Sequence, residues 1–508
     1  MKNINKTWKD NLQEILKCDL KSLYPLARSL NRKLYFYVGP TNSGKTYQAI
    51  NELKNSTCGI YLAPLRLLAL EVYEDLKNNN IQASLITGEE QIFNEEAAHI
   101  CSTIEMIDFD LDTDICVIDE VQMLDDPQRG WAWINSIIGV PSKKVIMTGS
   151  VNTLDALKKI ALYLQEDLQI VKFKRKTPLK LLENHIPLRN IKKGTALIAF
   201  SRNDVLKYKS KLEKYHKISV IYGNLSPEVR KEEARKFRKQ ESDILIATDA
   251  ISMGLNLPIE TILFTTHIKF DGINKRELSS NEIIQIAGRA GRFGYHKKGL
   301  IGAISNKTFT HIKKMFDQSI KTIKAPFKVK ASSKQIEELS TYLQTKNLTK
   351  ILNFFANNMV FNGPFIPVSL ASMLSAARLI EDKSNLKLED KYMLSQAPIS
   401  IKSILIKKAF LLYVNSILNN RIVSYKTSIK SIQNKKLTSK DLLQIEDEIK
   451  KISLYLWLSY KLPEIFIDKI KAEKKRNFLN KLIQKSLKEN IPIETSKKHR
   501  FKDNKIKY

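Results

Sequence analysis

The segment Gly39-Pro40-Thr41-Asn42-Ser43-Gly44-Lys45-Thr46, directly behind the apolar run at 34–38, constrains this chain more than any other. Its glycines let backbone N–H groups turn inward around phosphate oxygens, its lysine meets the terminal phosphates, and the threonine hydroxyl meets Mg²⁺. That loop belongs between a strand and a helix, so the surrounding fold is expected to be α/β. A second apolar run, 115–118, leads into Asp119-Glu120-Val121-Gln122 and sets two acids at the end of a buried strand. Together the two segments form the halves of a site that binds and hydrolyses a nucleoside triphosphate with Mg²⁺; because the loop grips phosphates, which nucleotide it takes is left open.

At 508 residues the chain exceeds one ordinary core. From about 34 to 165, β-branched runs at 34–38, 59–62, 84–86, 115–118 and 144–147 alternate with helical patterns, the signature of a parallel sheet wrapped by helices. A second α/β block has strands expected at 195–200, 218–222, 243–247, 261–264 and 300–304 but no phosphate loop of its own. It is therefore expected to supply residues across a cleft. After Pro326, Leu-, Ile- and Lys-rich helical patterns take over, so 326–470 reads as all-α and 471–508 as a fraying basic tail.

The formal charge of +31 points to a polyanionic partner such as nucleic acid, although the abundance of Lys, Ile and Asn also fits nucleotide bias in a genome. Cys18, Cys58, Cys101 and Cys116 form no C-x-x-C pair and have no clustered His, which excludes a disulfide scaffold and argues against zinc. A reducing cytoplasm is the expected location, with Cys58 and Cys116 as small buried hydrophobes. No run approaches the roughly 20 apolar residues of a membrane span. The first residues lack a signal-peptide core, and Asp10, Glu14 and Asp19 argue against an acid-poor transit peptide, so 1–30 reads as an amphipathic helical segment.

The second block ends in Gln285-Ile286-Ala287-Gly288-Arg289-Ala290-Gly291-Arg292, whose arginines at i and i+3 are expected on one helix face, aimed at the triphosphate. With these residues the chain resembles superfamily 2 DExH-type RNA helicases, and within them the RNA helicase family of the mitochondrial degradosome and its bacterial relatives. The resemblance is carried by GPTNSGKT (39–46), APLRLLALEVYEDL (63–76), ITGEE (86–90), STIEM (102–106), VIDEVQML (117–124), DPQRGWAW (126–133), ATDAISMGLNL (247–257) and QIAGRAGRFG (285–294), with Leu394 to Pro398 similar to a short element that follows the family's core. It implies two tandem RecA-like parallel-sheet domains, 31–165 and 166–325, followed by an all-α C-terminal domain.

The resemblance also assigns roles. Lys45 would neutralise the β- and γ-phosphates, Thr46 and Asp119 would hold Mg²⁺, and Glu120 would polarise the attacking water. Arg289 and Arg292 would act as arginine fingers, while Gln122 and Gln285, able to donate and accept at once, would link the phosphate state to the domain interface. Gly254 joins residues 39–46 as a nucleotide contact, and Thr148-Gly149-Ser150 couples hydrolysis to movement. Pro64, Arg66, Thr87, Gly88, Thr103 and Glu105 in the first block, and Ser201, Arg202 and Thr248 in the second, match positions lining the strand groove. Taken singly, the small polar ones also read as cap and turn residues.

A hairpin around Asp271-Gly272 suits a duplex-parting wedge or an ordinary surface turn. Trp131 and Trp133 read as core. Ser252 stands where the family usually has Gly, and Ser150 where several members carry an acid. The expected activity is ATP-dependent, 3′-to-5′ unwinding of RNA duplexes bearing a single-stranded overhang, with an exoribonuclease as a candidate partner and no membrane or zinc. A DNA or hybrid translocase, and an RNA-binding remodelling subunit of an exoribonuclease complex, remain the alternatives, because 2′-OH contacts are not legible in one sequence.

Overall fold

The computed structural model describes residues 16–252, 256–271, 274–368, 370–400, 403–429 and 437–488. Two sheets organise it. The first runs Gln91–Ile92, Ala83–Ile86, His99–Thr103, Gly59–Ala63, Thr113–Ile118, Ser142–Gly149, Lys33–Val38, Leu168–Lys172, parallel throughout except for the short outermost strand Gln91–Ile92. The second runs Leu179–Leu181, Gly299–Ala303, Thr261–Phe264, Thr195–Ile198, Ile244–Ala247, Ile218–Ile221, all parallel. Both sheets are covered on two faces, which is why their strands read as continuous apolar runs rather than alternating ones.

Strand order decides the site. Thr113–Ile118, Ser142–Gly149 and Lys33–Val38 are neighbours, with Val38 opposite Gly149 and Ile118 opposite Met147. The phosphate loop, the acid pair and the 148–150 segment therefore leave the sheet at one carboxyl edge, where ligands of parallel sheets bind.

Several expectations change. The first domain does not stop at 165: Leu168–Lys172 pairs with Lys33–Val38 as an edge strand, and its mostly exposed, mixed residues lack the apolar run of an interior strand. His99–Thr103 was hidden for a related reason, since His99, Ser102 and Thr103 break an otherwise buried strand. Of the expected N-terminal helical segment, residues 1–15 lie outside the described residues; in the remainder Lys17–Cys18 pairs with Val360–Phe361 before the helix Pro25–Ser29. Nor is 326–470 purely α, because Phe327–Val329 pairs with Phe365–Pro367. The expected basic tail is helical over Lys469–Lys488, where Ala472, Arg476, Leu479, Ile483 and Leu487 form a buried stripe that its lysine density masked. Residues 489–508, also part of that tail, lie outside the described residues.

The helical region divides between the two sheets. Ile336, Ile351, Phe355 and Tyr392 share a core with Trp133 and the first sheet. Ile445, Leu456, Phe466 and Ile483 share one with Val220 and Tyr222 of the second. Cys101 and Cys116 are buried and Cys58 is partly so. No described helix is long and apolar enough to cross a membrane.

A buried acid joins the long helix Ser439–Lys461 to the second sheet. Glu446, 0% exposed, accepts from Arg202 Nε at 2.9 Å and from the Tyr222 hydroxyl at 2.8 Å, while Arg202 Nη1 reaches Ser439 Oγ at 3.2 Å. Removing one member of such a pair strands the other's charge. Glu446→Ala is expected to destabilise this unit by about 3–5 kcal/mol, and Glu446→Gln, which still accepts from Tyr222, by less. Urea unfolding followed by tryptophan fluorescence, with Trp457 on the same helix, measures it; superimposable curves for parent and Glu446→Ala would refute the assignment.

Candidate nucleotide site and strand groove

The loop after Lys33–Val38 turns through left-handed residues at Asn42 (φ 61°) and Gly44 (φ 90°) before Lys45 opens the helix Lys45–Lys54. A side chain at Gly39 would lie 2.7 Å from the Phe173 carbonyl and 2.8 Å from Ser43 Oγ, so only glycine permits this curl. Ser43 Oγ is buried with no hydrogen-bond partner, a donor turned into the cradle. Lys45, mostly buried, rests its Nζ 3.3 Å from the Pro40 carbonyl at the loop's mouth. The helix N-terminus, the orphaned hydroxyl and the lysine fit a triphosphate.

Asp119 is the hub beside it. The carboxylate accepts from Tyr61 OH at 2.9 Å, Thr46 Oγ1 at 3.0 Å, the Glu120 N–H at 3.1 Å, and the Thr148 hydroxyl. Its carbonyl accepts from Trp133 Nε1 at 3.0 Å, which gives the buried tryptophan a use beyond packing. Asp119 is 2% exposed; burial, and then Glu120 alongside, hold its carboxyl above the ordinary range. A cation shared between Thr46 and Asp119 would relieve that penalty, so the residues fit Mg²⁺.

Glu120 adopts φ 52°, ψ 49°, a costly conformation for a non-glycine residue. Gln122 uses both halves of its amide: Nε2 donates to Glu120, and Oε1 accepts from the Ser150 N–H at 3.3 Å. Ser150 in turn bonds Asn152, whose carbonyl accepts from the Ile323 N–H at 2.9 Å.

From the second sheet, Arg289 Nη2 stands 3.6 Å from Glu120 Oε1, and its Nε donates to the Ser252 carbonyl at 2.9 Å. The two arginines do not share a helix face. The helix Ser280–Ala287 ends before them, and Gly291, at φ 68° and packed against Gly299, sets Arg292 on another course. Arg292 bonds the Asn256 carbonyl at 3.2 Å and lies over Tyr295, its centroid 5.1 Å away. Gln285 is half-buried one turn before Gly288. Gly254 falls outside the described residues. Asn42 Nδ2 donates to the Gly288 carbonyl at 3.2 Å, and Arg175, unnoticed in the sequence because it belongs to no motif, bonds the Thr41 and Gly288 carbonyls at 2.7 Å each.

The groove residues are more engaged than their types suggest. Arg66 pairs with Glu89 and Glu90 at 2.9 Å each and with Glu228 of the second domain, and Arg476 approaches Glu89 at 3.7 Å. Arg202 is held by Glu446. Neither arginine is bare toward a strand, because acids from distant segments reach them. Arg129, also unnoticed, links Glu105 and the Pro64 carbonyl at 2.7 Å each. Thr87 caps its turn through the Glu90 carbonyl and N–H, and Ser201 caps the helix Arg202–Leu212. Gly88 faces Trp457, while Thr103 and Thr248 are buried at strand ends. The hairpin pairs Ile268–Phe270 with Lys275–Glu277; of the expected turn dipeptide, Asp271 is seen, and Gly272 lies outside the described residues. Trp131 is covered by Lys330, 4.4 Å from its ring centroid.

Comparison with known proteins agrees with this geometry. Residues 21–173 match the DEXQ-box helicase domain of Suv3, 177–294 the helicase conserved C-terminal domain, and 442–489 the ATP-dependent RNA helicase SUV3 C-terminal domain. Among curated relatives, the mitochondrial ATP-dependent RNA helicase SUV3 of Candida albicans is 33% identical, over 91% of this chain and 69% of that protein. The mitochondrial DExH-box helicase DExH16 of Arabidopsis thaliana is 34% identical over 92% and 83%, and SUPV3L1 of Danio rerio 31% over 92% and 62%. The chain thus spans 62–83% of these relatives' lengths. All three are named mitochondrial, which overturns the cytoplasmic expectation; lack of disulfide pattern reports a reducing compartment without distinguishing which one. With the acid pair, the phosphate loop and the C-terminal helices all inside matched segments, this chain belongs to the SUV3 family of ATP-dependent RNA helicases.

Proposed function

We propose that the chain uses ATP and Mg²⁺ to move 3′ to 5′ along single-stranded RNA, parting duplexes that carry an overhang, in RNA turnover beside an exoribonuclease. One observation carries the motor reading: Arg289 of one sheet and Glu120 of the other stand 3.6 Å apart in front of the phosphate loop. Hydrolysis then depends on both lobes being together. Polarity, turnover and the nuclease rest on the sequence's resemblance to the degradosome helicases.

In this mechanism Thr46 and Asp119 would hold Mg²⁺, which would supply charge neutralisation to the triphosphate. Lys45 moves from the Pro40 carbonyl to the phosphates. Glu120, held by Gln122, orients a water and accepts its proton, while Arg289 leaves the acid to meet charge on the transferred phosphoryl. Arg292 swings from the Asn256 carbonyl to join it. Release of Glu120 passes through Gln122, Ser150 and Asn152 to the 321–323 segment, which leads into the helical region. The groove arginines Arg66 and Arg202 then exchange carboxylates for RNA phosphates as the lobes shift.

Lys45→Ala and Glu120→Gln are each expected to cut RNA-stimulated ATP turnover at least ~100-fold; retained turnover defeats the assignment. Strand displacement is expected with 3′-overhang RNA duplexes and not with 5′-overhang ones, and a strict DNA preference would favour a DNA translocase instead. Tyr61→Phe preserves the core's shape but removes one donor from Asp119, so the KM for MgATP is expected to rise roughly tenfold or more, the scale of one lost hydrogen bond to a charged group. A KM equal to the parent's would remove Tyr61 from the site.

A further inference from the structure

The connection between the sheets is short. The Phe173 N–H donates to the Val38 carbonyl at 2.7 Å, the last tie to the first sheet, and the Pro178 carbonyl accepts from the Gly299 N–H at 2.8 Å, the first tie to the second. Only residues 174–177 lie between, the first of the chain's crossings between the lobes; the chain returns to the first core by Ile323 and Phe327 and rejoins the second through Ile406 and Ile445. Arg175 sits in that span.

Its guanidinium spends all five N–H donors on backbone carbonyls. Nε donates to Thr177 at 2.6 Å, Nη1 to Thr41 and to Gly288 at 2.7 Å each, and Nη2 to Ala290 and, at 3.4 Å, to Gly291. Thr41 belongs to the phosphate loop; Gly288, Ala290 and Gly291 surround Arg289. Both catalytic loops thus hang on one planar group. The contact is close: a side chain at Gly288 would lie 2.8 Å from Thr41 Cβ.

We propose that Arg175 is a positioning residue that pins the phosphate loop to the arginine-bearing loop at the first crossing between the lobes, and so sets where Arg289 stands during hydrolysis. The proposal rests on the ATP-site reading above. The arrangement suits arginine and no other side chain, because a rigid fork can hold carbonyls of two loops at fixed spacing, whereas an ammonium is a point donor on a flexible stem. Among the described residues no carboxylate pairs with Arg175, and burial alone draws it down to about 10, so it stays charged at neutral pH.

The test uses the full chain and RNA-stimulated ATP hydrolysis. Arg175→Lys keeps the charge and loses the fork. Its kcat is expected to fall about tenfold while the KM for ATP stays within about twofold, since the residue positions an arginine and does not hold the nucleotide. Parental kcat, or a loss appearing wholly in KM, overturns the pin and leaves Arg175 a simple charge. Gly288→Ala pushes the same loops apart with Arg175 intact and guards against a folding artefact in the first variant. It is expected to show the same kcat defect, and the double variant to lose less than the product of the two; a full product overturns the proposal. Lys45→Ala run beside them separates the premises. If Lys45→Ala remains active, the ATP-site reading itself fails; if it is dead while Arg175→Lys is normal, only the pin fails.

Discussion

A single buried carboxylate organises the catalytic half of this protein. Asp119 is expensive to bury, and its cost is offset by donors arriving from four separate stretches: Tyr61, Thr46, Thr148 and its own neighbour's amide. Each donor fixes a different part. Thr46 anchors the helix behind the phosphate loop, Thr148 anchors the end of the strand Ser142–Gly149, and Trp133 holds the Asp119 carbonyl. Moving the acid would disturb all of them together, which is how a site for a cation becomes rigid without any one strong contact.

The motor half depends on the opposite property, contacts able to exchange partners. Arg289 is shared between an acid and a backbone carbonyl, Arg66 among three carboxylates of two domains, and Arg476 reaches the same acids from the last helix. Such ion pairs across a lobe boundary are modest in net energy, since each charge has other partners and some water. Such pairs can exchange one anion for another, which the proposed RNA contact requires. The high positive charge of the chain is consistent with that use.

The helical region is divided between the two cores. Its first part shares the core of the first sheet and its second part that of the second, the latter locked by Glu446 to Arg202 and Tyr222. The same C-terminal helices also reach the first lobe, Ser453 and Arg476 at Glu89 and the Tyr460 hydroxyl accepting from the Gln91 N–H.

Much of the design was legible because its chemistry is local. The phosphate loop needs glycines at fixed offsets, and the interior strands need apolar runs, so both show in the order of residues. Reading by run failed for different reasons: the edge strand Leu168–Lys172 is mostly exposed, the buried strand His99–Thr103 is interrupted by polar residues, and in the helix Lys469–Lys488 lysine density hides a regular apolar stripe. The arginine pair misled for another reason, since i, i+3 spacing implies one face only if the helix continues, and it ends at Ala287. By itself, then, the sequence determined that two parallel sheets would meet around a nucleotide, because strand-end loops and apolar periodicity are short-range properties. Only the tertiary structure decided which charges are paired: that Glu89, Glu90 and Glu228 claim Arg66, that Glu446 claims Arg202, and that Arg175 holds two loops at the first crossing between the lobes. Those partners lie far apart along the chain, and electrostatic contact depends on distance in space, which spacing in sequence does not encode.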